Sequence, residues 1–423
     1  MRLLPALRRS GGLSPLYLMR ASDALASTTA TYAIPLLVLI TTGSTALTGI
    51  AFLLEWTPRL SAFTFAGSLT DRFGAAHVFR LTNFVRATMI ALAAVLLIAL
   101  PSAGAVTTTV VLAFGTVSGL LAEVSFVAVE TLGAEAGRHL GGQAHRVQAA
   151  QTGIDQGAVL VGPLLGGLLL LAGPGVLLAV VALLAMTAAA ATPDDSVTAE
   201  GHRAPSSLLT GWRTLRRTPA LAWLIGGLAA SNLASGVLQA AAPITVIHRF
   251  RYSTAAVGAV WSAAAVASML TVIAARKAID RWSVWPVGAV AAAVSTAACP
   301  AVALAPGFAA YTAAVAVLMA AEGALTVVLR TLRARLIPAS AFGSTLAVTI
   351  ILVLLPLPVA GALVAAVPTA GLPHLLLACA IGQGLVLASC FSGLRRHREA
   401  CAPPLEPALA AHRSEPVRPV DAP

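Results

Sequence analysis

The stretch Gly67-Ser68-Leu69-Thr70-Asp71-Arg72-Phe73-Gly74 is a small charged island between two long apolar runs. Glycine allows the backbone to turn and lets neighbouring helices approach closely. A carboxylate such as Asp71 can lie against the positive N-terminus of a neighbouring helix, a contact worth up to about 2 kcal/mol. The stretch therefore predicts a tight turn at an aqueous boundary, with helices packed around it; a plain solvated turn is the alternative.

The composition of the chain is that of a membrane protein. Hydrophobic residues make up 58% of its 423 residues and charged residues 10%, and its mean hydropathy is +0.88. Soluble domains carry about 25% charged residues. Apolar runs of membrane-spanning length recur along the sequence, which is typical of polytopic helical membrane proteins. The net charge of +11 is spread between these runs rather than gathered in a patch, so no nucleic-acid partner is predicted.

Chemical motifs give no support to an enzyme. The sequence contains neither a His-Glu-x-x-His zinc motif nor a phosphate-binding Walker loop. The segment 233–236 weakly resembles the serine motif of intramembrane proteases but lacks its first glycine. The cysteines show no metal-ligand or paired spacing, and we interpret them as packing residues. We therefore predict no catalytic residue, no metal site and no cofactor.

The apolar runs predict an all-α polytopic membrane protein with twelve transmembrane helices. The first run follows Arg8 and Arg9 like a signal peptide, but it continues through Ile40, so an uncleaved helix is expected. The predicted spans are 15–41, 46–69, 78–100, 105–131, 146–172, 174–192, 220–247, 254–278, 284–304, 307–330, 341–367 and 372–394.

The arginines predict the orientation. Most basic residues fall in the N-terminus, in alternate loops and in the C-terminal tail, whereas loops such as 41–44, 101–104 and 368–371 carry none. Because basic loops remain on the cytoplasmic side, both termini are expected to be cytoplasmic. The predicted location is the plasma (inner) membrane.

The spans divide into two pseudo-symmetric six-helix bundles. The N-terminal half is 1–192, a cytoplasmic middle loop is 193–219, the C-terminal half is 220–396 and a disordered cytoplasmic tail is 397–423. Asp71-Arg72 returns as Asp280-Arg281, 209 residues later. Parallel repeats of this kind are typical of transporters in which two similar bundles rock around a central site.

The middle loop contains a candidate interfacial helix. Leu208, Leu209, Trp212 and Leu215 share one helical face. Arginines 213, 216 and 217 lie on the other face. This pattern suits a helix in the inner leaflet with its arginines toward anionic headgroups. An ordinary connector is the alternative.

These features together resemble the major facilitator superfamily. The resemblance rests on Gly-x-Leu-x-Asp-Arg-x-Gly at 67–74, the twelve spans in two halves and the long middle loop. It implies that Asp71 contacts the start of the eleventh span, near Ala341, and thereby holds the outward-open state. The family usually has two basic residues after the second glycine, where this chain has Ala75 and Ala76. The predicted latch residues are Gly67, Asp71, Arg72, Gly74 and Arg80.

A second motif is Gly162-Pro163-Leu164-Leu165-Gly166-Gly167 in the fifth span. Proline kinks a helix, and small residues let a partner helix close against it. We therefore predict that Gly162, Pro163, Gly166 and Gly167 form a helix-packing motif. It resembles a motif of drug exporters in the superfamily, although Ala158 replaces a glycine of the longer form. The Arg20-x-x-Asp23 start, the 67–74 loop and the segment 331–338 together resemble most the drug-efflux branch of macrolide and siderophore exporters.

Ionisable residues inside spans are costly and are candidates for function. Glu55 and Arg59 have the spacing of a pair within one helix, either self-satisfied or functional. Arg20 can likewise pair with Asp23, and Arg86 is expected to neutralise an acid on another helix that the sequence does not identify. The proton-coupling candidates are Asp23, Glu123, Asp155 and Glu322. The resemblance implies that the first, fourth, seventh and tenth helices line a cavity, with lining candidates Arg20, Ser27, Asn232, Ser235 and Gln239.

The sequence predicts a secondary active transporter, with proton-coupled efflux of small amphipathic drugs or metabolites. A carboxyl group whose exposure alternates can bind and release protons, because burial disfavours its charged form. The expected partners are a small-molecule substrate, protons and the lipid bilayer, and a monomer is expected. The alternatives are a proton-coupled importer of a small nutrient and a non-transporting membrane sensor of the same fold.

Overall fold

The structure is a computed structural model that describes residues 14–99, 105–139, 144–193, 208–337 and 342–397. All regular elements within these ranges are helical. The helices are α1 (Ser14–Thr42), α2 (Thr45–Phe73), α3 (Ala75–Ala99), α4 (Ala105–His139), α5 (Ala144–Ala172), α6 (Pro174–Ala190), α7 (Leu208–Arg217), α8 (Pro219–Ile244), α9 (Thr254–Trp282), α10 (Val284–Ala303), α11 (Phe308–Leu336), α12 (Phe342–Leu354), α13 (Pro356–Ala366) and α14 (Leu372–Arg396).

Five predicted regions lie outside the described residues. They are the N-terminus with Arg8 and Arg9, the loop at 101–104, the acidic start of the middle loop at 194–200, the expected latch contact at Ala341 and all but the first residue of the predicted tail 397–423.

Ten spans in the described part of the chain are long and apolar enough to cross a membrane, so the count of twelve is met only in part. The other two predicted spans are α2 and α6. Helix α6 is apolar but has only 17 residues. Helix α2 has 29 residues but carries Glu55, Arg59, Asp71 and Arg72. Both are helical over the predicted stretch, and α2 is the more polar of the two.

Two spans depart from a single regular helix. The eleventh span, predicted as 341–367, is divided at Leu355 into α12 and α13 because Pro356 has no backbone N–H to continue the hydrogen-bond ladder. The end of the seventh span is a π-helical turn over Thr245–Arg249, where Arg249 donates to the backbone oxygens of Ala303 and Ala305.

The charged segment 67–74 is not a loop, because α2 continues through Phe73 and Gly74 alone links it to α3. Gly74 has a φ of 82°, and its N–H donates to the Thr70 oxygen at 3.0 Å. The same turn recurs 209 residues later, where Ser283 has a φ of 75°. Gly67 differs from expectation because a Cβ there would meet nothing within 4 Å. The turn therefore needs Gly74 for its conformation, whereas Gly67 lies at an open surface.

Two helix pairs join the N-terminal helices to the C-terminal ones. Helix α5 packs along α9, and α2 packs against α13. At the second contact Gly49 and Gly361 let the backbones meet, since a Cβ at Gly361 would lie 2.6 Å from the Leu53 nitrogen.

The hydrophobic cores show which end of the molecule is closed. We call the end that carries the Asp71 turn the Asp71 face, and the other end the opposite face. At the opposite face one shared core takes residues from both halves, among them Leu37, Leu178, Val237 and Val364. At the Asp71 face there are two separate cores, one from each half. The halves are thus joined at the opposite face and apart at the Asp71 face.

Candidate functional site

A cavity of about 390 Å³ lies on the N-terminal side of the gap between the halves. Helices α1, α2, α4, α5 and α8 line it. The predicted residues found in its wall are Arg20, Asp23, Ser27, Glu123, Asp155 and Gln239. The cavity is also lined by residues that the sequence did not indicate, namely Thr31, Tyr32, Trp56, Arg59 and Phe126.

Asp23 forms a buried ion pair with Arg86 of α3. Arg86 Nη1 lies 3.5 Å from Asp23 Oδ1, and their side chains are 1% and 6% exposed. Ser125 donates to the same carboxylate oxygen at 3.0 Å and in turn accepts from Asn83. Arg86 also donates to Ser27 at 2.8 Å. The unidentified partner of Arg86 is therefore Asp23, and the pair fastens α1 to α3 and α4.

Arg20 does not form the pair within its own helix that its spacing suggested. It donates to both carboxylate oxygens of Asp155 on α5, at 2.9 and 2.5 Å, and to Glu130 on α4. Asp23 is instead taken up by Arg86. The two acids on Arg20 are 39% and 34% exposed, so water reaches this cluster. Arg20 thus links three helices at the edge of the cavity.

Glu55 and Arg59 form the predicted pair within α2, with 3.0 Å between Glu55 Oε1 and Arg59 Nη2. Arg59 also donates to Thr31 at 2.6 Å and stacks 4.6 Å from the centre of the Trp56 ring. Glu55 is fully buried behind the cavity wall. The pair supplies the wall with a guanidinium group that already has its own counter-ion.

Glu123 is the acid of the cavity that has no cation in direct contact among the described residues; Arg59, which is paired with Glu55, acts on it only from a longer distance. Glu123 lines the cavity, yet within the described residues it forms neither a hydrogen bond nor an ion pair. Three aromatic rings lie in the same wall, those of Tyr32, Trp56 and Phe126. The wall therefore offers a carboxylate together with apolar and aromatic surface.

Glu322 lies in the C-terminal half, away from the cavity wall. Its Oε1 accepts from Ser295 of α10 and from Gln383 of α14, the latter at 2.5 Å. Gln383 also lies 3.3 Å from the Ser231 hydroxyl of α8. In the described part of the chain no basic side chain forms an ion pair with Glu322. Four helices thus hold this carboxyl group with neutral donors.

The polar stripe of the seventh span does not act as one surface. Gln239 lines the cavity, but Asn232 donates to the Val353 oxygen of α12 at 2.7 Å. Ser235 is not in the cavity wall. Of the three residues of the stripe, Gln239 alone is in the cavity wall.

The glycine-proline motif lies where the two halves meet. Gly162 and Gly166 face Thr28, Thr29 and Ala33 of α1. Gly167 meets the backbone of α9, where Thr254 donates to its oxygen at 2.8 Å. On the α9 side, a Cβ at Gly258 would lie 2.8 Å from the Leu164 Cα. The motif therefore lets α5 pack closely between α1 and α9 of the C-terminal half.

The predicted contact of the latch with the start of the eleventh span lies at the edge of the described residues and stays a prediction. Asp71 and Arg72 are exposed, and neither forms an ion pair within the described residues. Residue 341, the expected contact, lies outside the described ranges. Arg80 donates to the Thr192 oxygen at the end of the sixth span at 2.8 Å. This arrangement agrees with halves that stand apart at the Asp71 face.

Membrane-spanning helices packed around a charged cavity are typical of membrane transporters. The chain belongs to the Major Facilitator Superfamily, whose family model matches residues 16–355. Its relatives are transporters rather than enzymes. No group of three or more His, Cys, Asp or Glu side chains in the described residues could hold a metal ion.

Solved structures share the fold at low sequence identity. A bacterial homologue of the iron transporter ferroportin, in an inward-facing state, is 15% identical, with a TM-score of 0.71 over 93% of this chain and 100% of its own. A bacterial homologue of the lysosomal transporter Spinster is 14% identical, with a TM-score of 0.71 over 94% and 99%. The nucleoside transporter NupG is 10% identical, with a TM-score of 0.72 over 90% and 99%. No curated protein matches the chain.

Proposed function

We propose that this protein exports small amphipathic drugs or metabolites by proton antiport. The observation that carries the proposal is Glu123, a cavity carboxylate that forms neither a direct ion pair nor a hydrogen bond among the described residues. Asp23 and Asp155, in contrast, are held by Arg86 and Arg20. A carboxylate that no cation holds is free to take either a proton or a polar group of the cargo. Glu123 is therefore the principal coupling acid, with Asp23, Asp155 and Glu322 as further candidates.

The surface around Glu123 suits an amphipathic cargo. Tyr32, Trp56 and Phe126 supply aromatic contact area, whereas the guanidinium groups of Arg20 and Arg59 are already engaged. Ligand sites of about 300–1,000 Å³ with mostly apolar walls and a few polar groups are typical of small molecules. The cavity of about 390 Å³ falls within this range.

The cycle alternates between the separate cores at the Asp71 face and the shared core at the opposite face. Cargo enters from the cytoplasm, on the Asp71 face, and displaces the proton of Glu123. When the halves rock, cargo leaves at the opposite face and Glu123 is protonated again. Each inward charge supplies about 2.3 kcal/mol per 100 mV of membrane potential. In the outward-open state Asp71 caps the start of α12 and holds the Asp71 face closed.

The orientation and the branch belong to the same proposal. The arginines place the Asp71 face and both termini in the cytoplasm of a cell whose plasma (inner) membrane holds the protein. The α5 motif supports the drug-efflux branch of macrolide and siderophore exporters, because it lies between the halves that must move. A monomer suffices, since one chain supplies the whole cavity wall.

The test is transport by membrane vesicles from an expressing strain. Inverted vesicles energised by respiration are expected to accumulate dyes or antibiotics from a chemically diverse panel. Accumulation only in right-side-out cells would show an importer. The absence of flux for every compound would favour a non-transporting sensor.

The role of Glu123 is tested with Glu123→Gln, which keeps its size and removes its titration. We expect proton-coupled flux to fall at least roughly tenfold, in the range typical of a lost proton-transfer group. Glu322→Gln is the comparison variant, because it removes the titration of a further candidate acid that lies outside the cavity wall. If Glu322→Gln abolishes coupling and Glu123→Gln does not, the coupling site is in the other half.

A further inference from the structure

The short helix α7 is fixed to the inner part of the eleventh span. Gly211 lies against the backbone of Ser344 near the start of α12, where a Cβ would be 2.6 Å from the Ser344 carbonyl carbon and 3.0 Å from the Thr345 nitrogen. Leu215 is buried in the core of the C-terminal half at the Asp71 face. Any movement of the start of α12 must therefore carry α7 with it.

The other side of α7 is an exposed surface on which Leu209 and Trp212 lie beside the arginines, whereas the sequence predicted them on opposite faces. Leu209 and Trp212 are 66% and 40% exposed. Arg213, Arg216 and Arg217 are also exposed, and none forms an ion pair within the described part of the chain. The Arg216 guanidinium carbon lies 5.2 Å from the centre of the Trp212 ring. We call this surface the arginine face of α7.

The position and chemistry of the arginine face favour an anionic lipid surface as its binding partner. Thr218 alone separates α7 from α8, which enters the membrane at Pro219. The arginine face therefore lies at the height of the headgroups, where tryptophan is enriched and exposed leucine can enter the acyl boundary. Each arginine near anionic headgroups adds to the attraction of the helix to the membrane surface. A soluble acidic partner would satisfy the arginines but not the two exposed apolar side chains.

The attachment of α7 to α12 makes this surface relevant to movement. Helix α12 packs mainly on α7 and α8, whereas α13 beyond the break at Leu355 packs on α2. Closing the Asp71 face requires the start of α12 to approach the end of α2. A ligand that binds one arrangement of two shifts the equilibrium toward it. Headgroups that hold α7 where it now lies thus hold α12 away from α2.

We propose that the arginine face of α7 binds anionic phospholipid headgroups, and that the Gly211–Ser344 contact transmits this binding to favour the state open at the Asp71 face. The proposal uses the alternating access of the proposed function but neither its cargo nor its direction.

The test measures the opening directly in the full chain. Spin labels are placed at Ser68→Cys and Lys277→Cys, both exposed at the Asp71 face of opposite halves, after replacement of the native cysteines. The protein is reconstituted in phosphatidylcholine alone or with phosphatidylglycerol. Phosphatidylglycerol is expected to raise the population with the longer distance between labels. Because no substrate is needed, failed transport and a failed lipid response are separate results.

The arginine pair in the last turn of α7 has a matched control. Arg216→Gln with Arg217→Gln is expected to weaken the response to phosphatidylglycerol by roughly an order of magnitude, from the contribution of each charge near an anionic surface. Arg395→Gln with Arg396→Gln removes an exposed pair from the last turn of α14 and is expected to leave the response unchanged. Equal responses of the two variants would overturn the proposal.

Two further measurements separate binding from transmission. Gly211→Val is expected to retain phosphatidylglycerol through purification, as counted by mass spectrometry, while its label distance no longer responds. If that variant does not fold, the arginine variants still decide the question. A distance shift produced by soluble polyglutamate and not by phosphatidylglycerol would identify an acidic protein as the partner and contradict the proposal.

Discussion

The two halves of the molecule hold the acidic side chains of their spans in different ways. In the N-terminal half Asp23 is paired with Arg86, and Arg20 holds Asp155 and Glu130. In the C-terminal half Glu322 is held by Ser295 and Gln383, without a basic partner in the described residues. Removing one member of a buried ion pair strongly lowers the stability of the protein, because the other charge stays buried without its partner. Neutral donors can form hydrogen bonds to an amide as well as to a carboxyl group. The C-terminal half is therefore expected to tolerate substitution of its acid, whereas the N-terminal half is expected to lose stability when a charged partner is replaced.

The largest expected effect comes from Arg86→Met. The change leaves the Asp23 carboxylate buried without its cation, and loss of one partner of a buried pair costs about 3–5 kcal/mol. The free energy of unfolding, measured by denaturant titration in mixed micelles, should fall by this amount.

A double variant shows whether the cost is that of an unpaired charge. Adding Asp23→Asn to Arg86→Met removes the stranded carboxylate, and the amide oxygen can still accept from Ser125. Most of the lost stability should return. If the double variant is as unstable as Arg86→Met alone, packing rather than charge explains the loss, and the contrast between the halves disappears.

A smaller effect is expected from Arg20→Gln. Its partners Glu130 and Asp155 are 39% and 34% exposed, so water can solvate both acids once the guanidinium group is gone. A partly exposed pair contributes about 1 kcal/mol or less. The same titration should give a loss of about this size, well below that of Arg86→Met, and an equal loss would show that both clusters are cut off from water.

The smallest effect is expected from Glu322→Gln. An amide oxygen can accept from Ser295 and Gln383 as the carboxylate does, and hydrogen bonds between membrane helices average about 0.6 kcal/mol. The unfolding free energy should therefore change by less than about 1 kcal/mol. A loss as large as that of Arg86→Met would show that Glu322 is a buried charge with a partner outside the described residues.

The sequence predicted most of the helices because helix length and apolar composition are local properties. Glycine, proline and arginine marked the span ends to within a few residues in most cases. The Glu55–Arg59 pair was predictable for the same reason, since four residues separate its members on one helix. The division of the eleventh span was not predicted, although Pro356 marks it in the sequence.

The partners inside the site could not be read from the sequence because they depend on how each helix is rotated against its neighbours. Arg20 finds Asp155 across 135 residues, and nothing in the local pattern excluded the nearer Asp23. The aromatic wall was missed because aromatic residues in apolar spans are common. For the Glu322 cluster a weak signal existed, since Gln383 is a lone amide in an apolar run.

The shared core at the opposite face has a consequence for the resting population of the transporter. To open that face, the protein must expose side chains such as Val237, Leu238 and Val364, each now fully buried. A substitution that removes a methyl group from this core therefore lowers the free-energy difference between the state open at the Asp71 face and the state open at the opposite face, without changing the cavity. Since apparent affinity falls with the fraction of molecules competent to bind, ordinary core residues far from the cargo set how tightly it is taken up from each side.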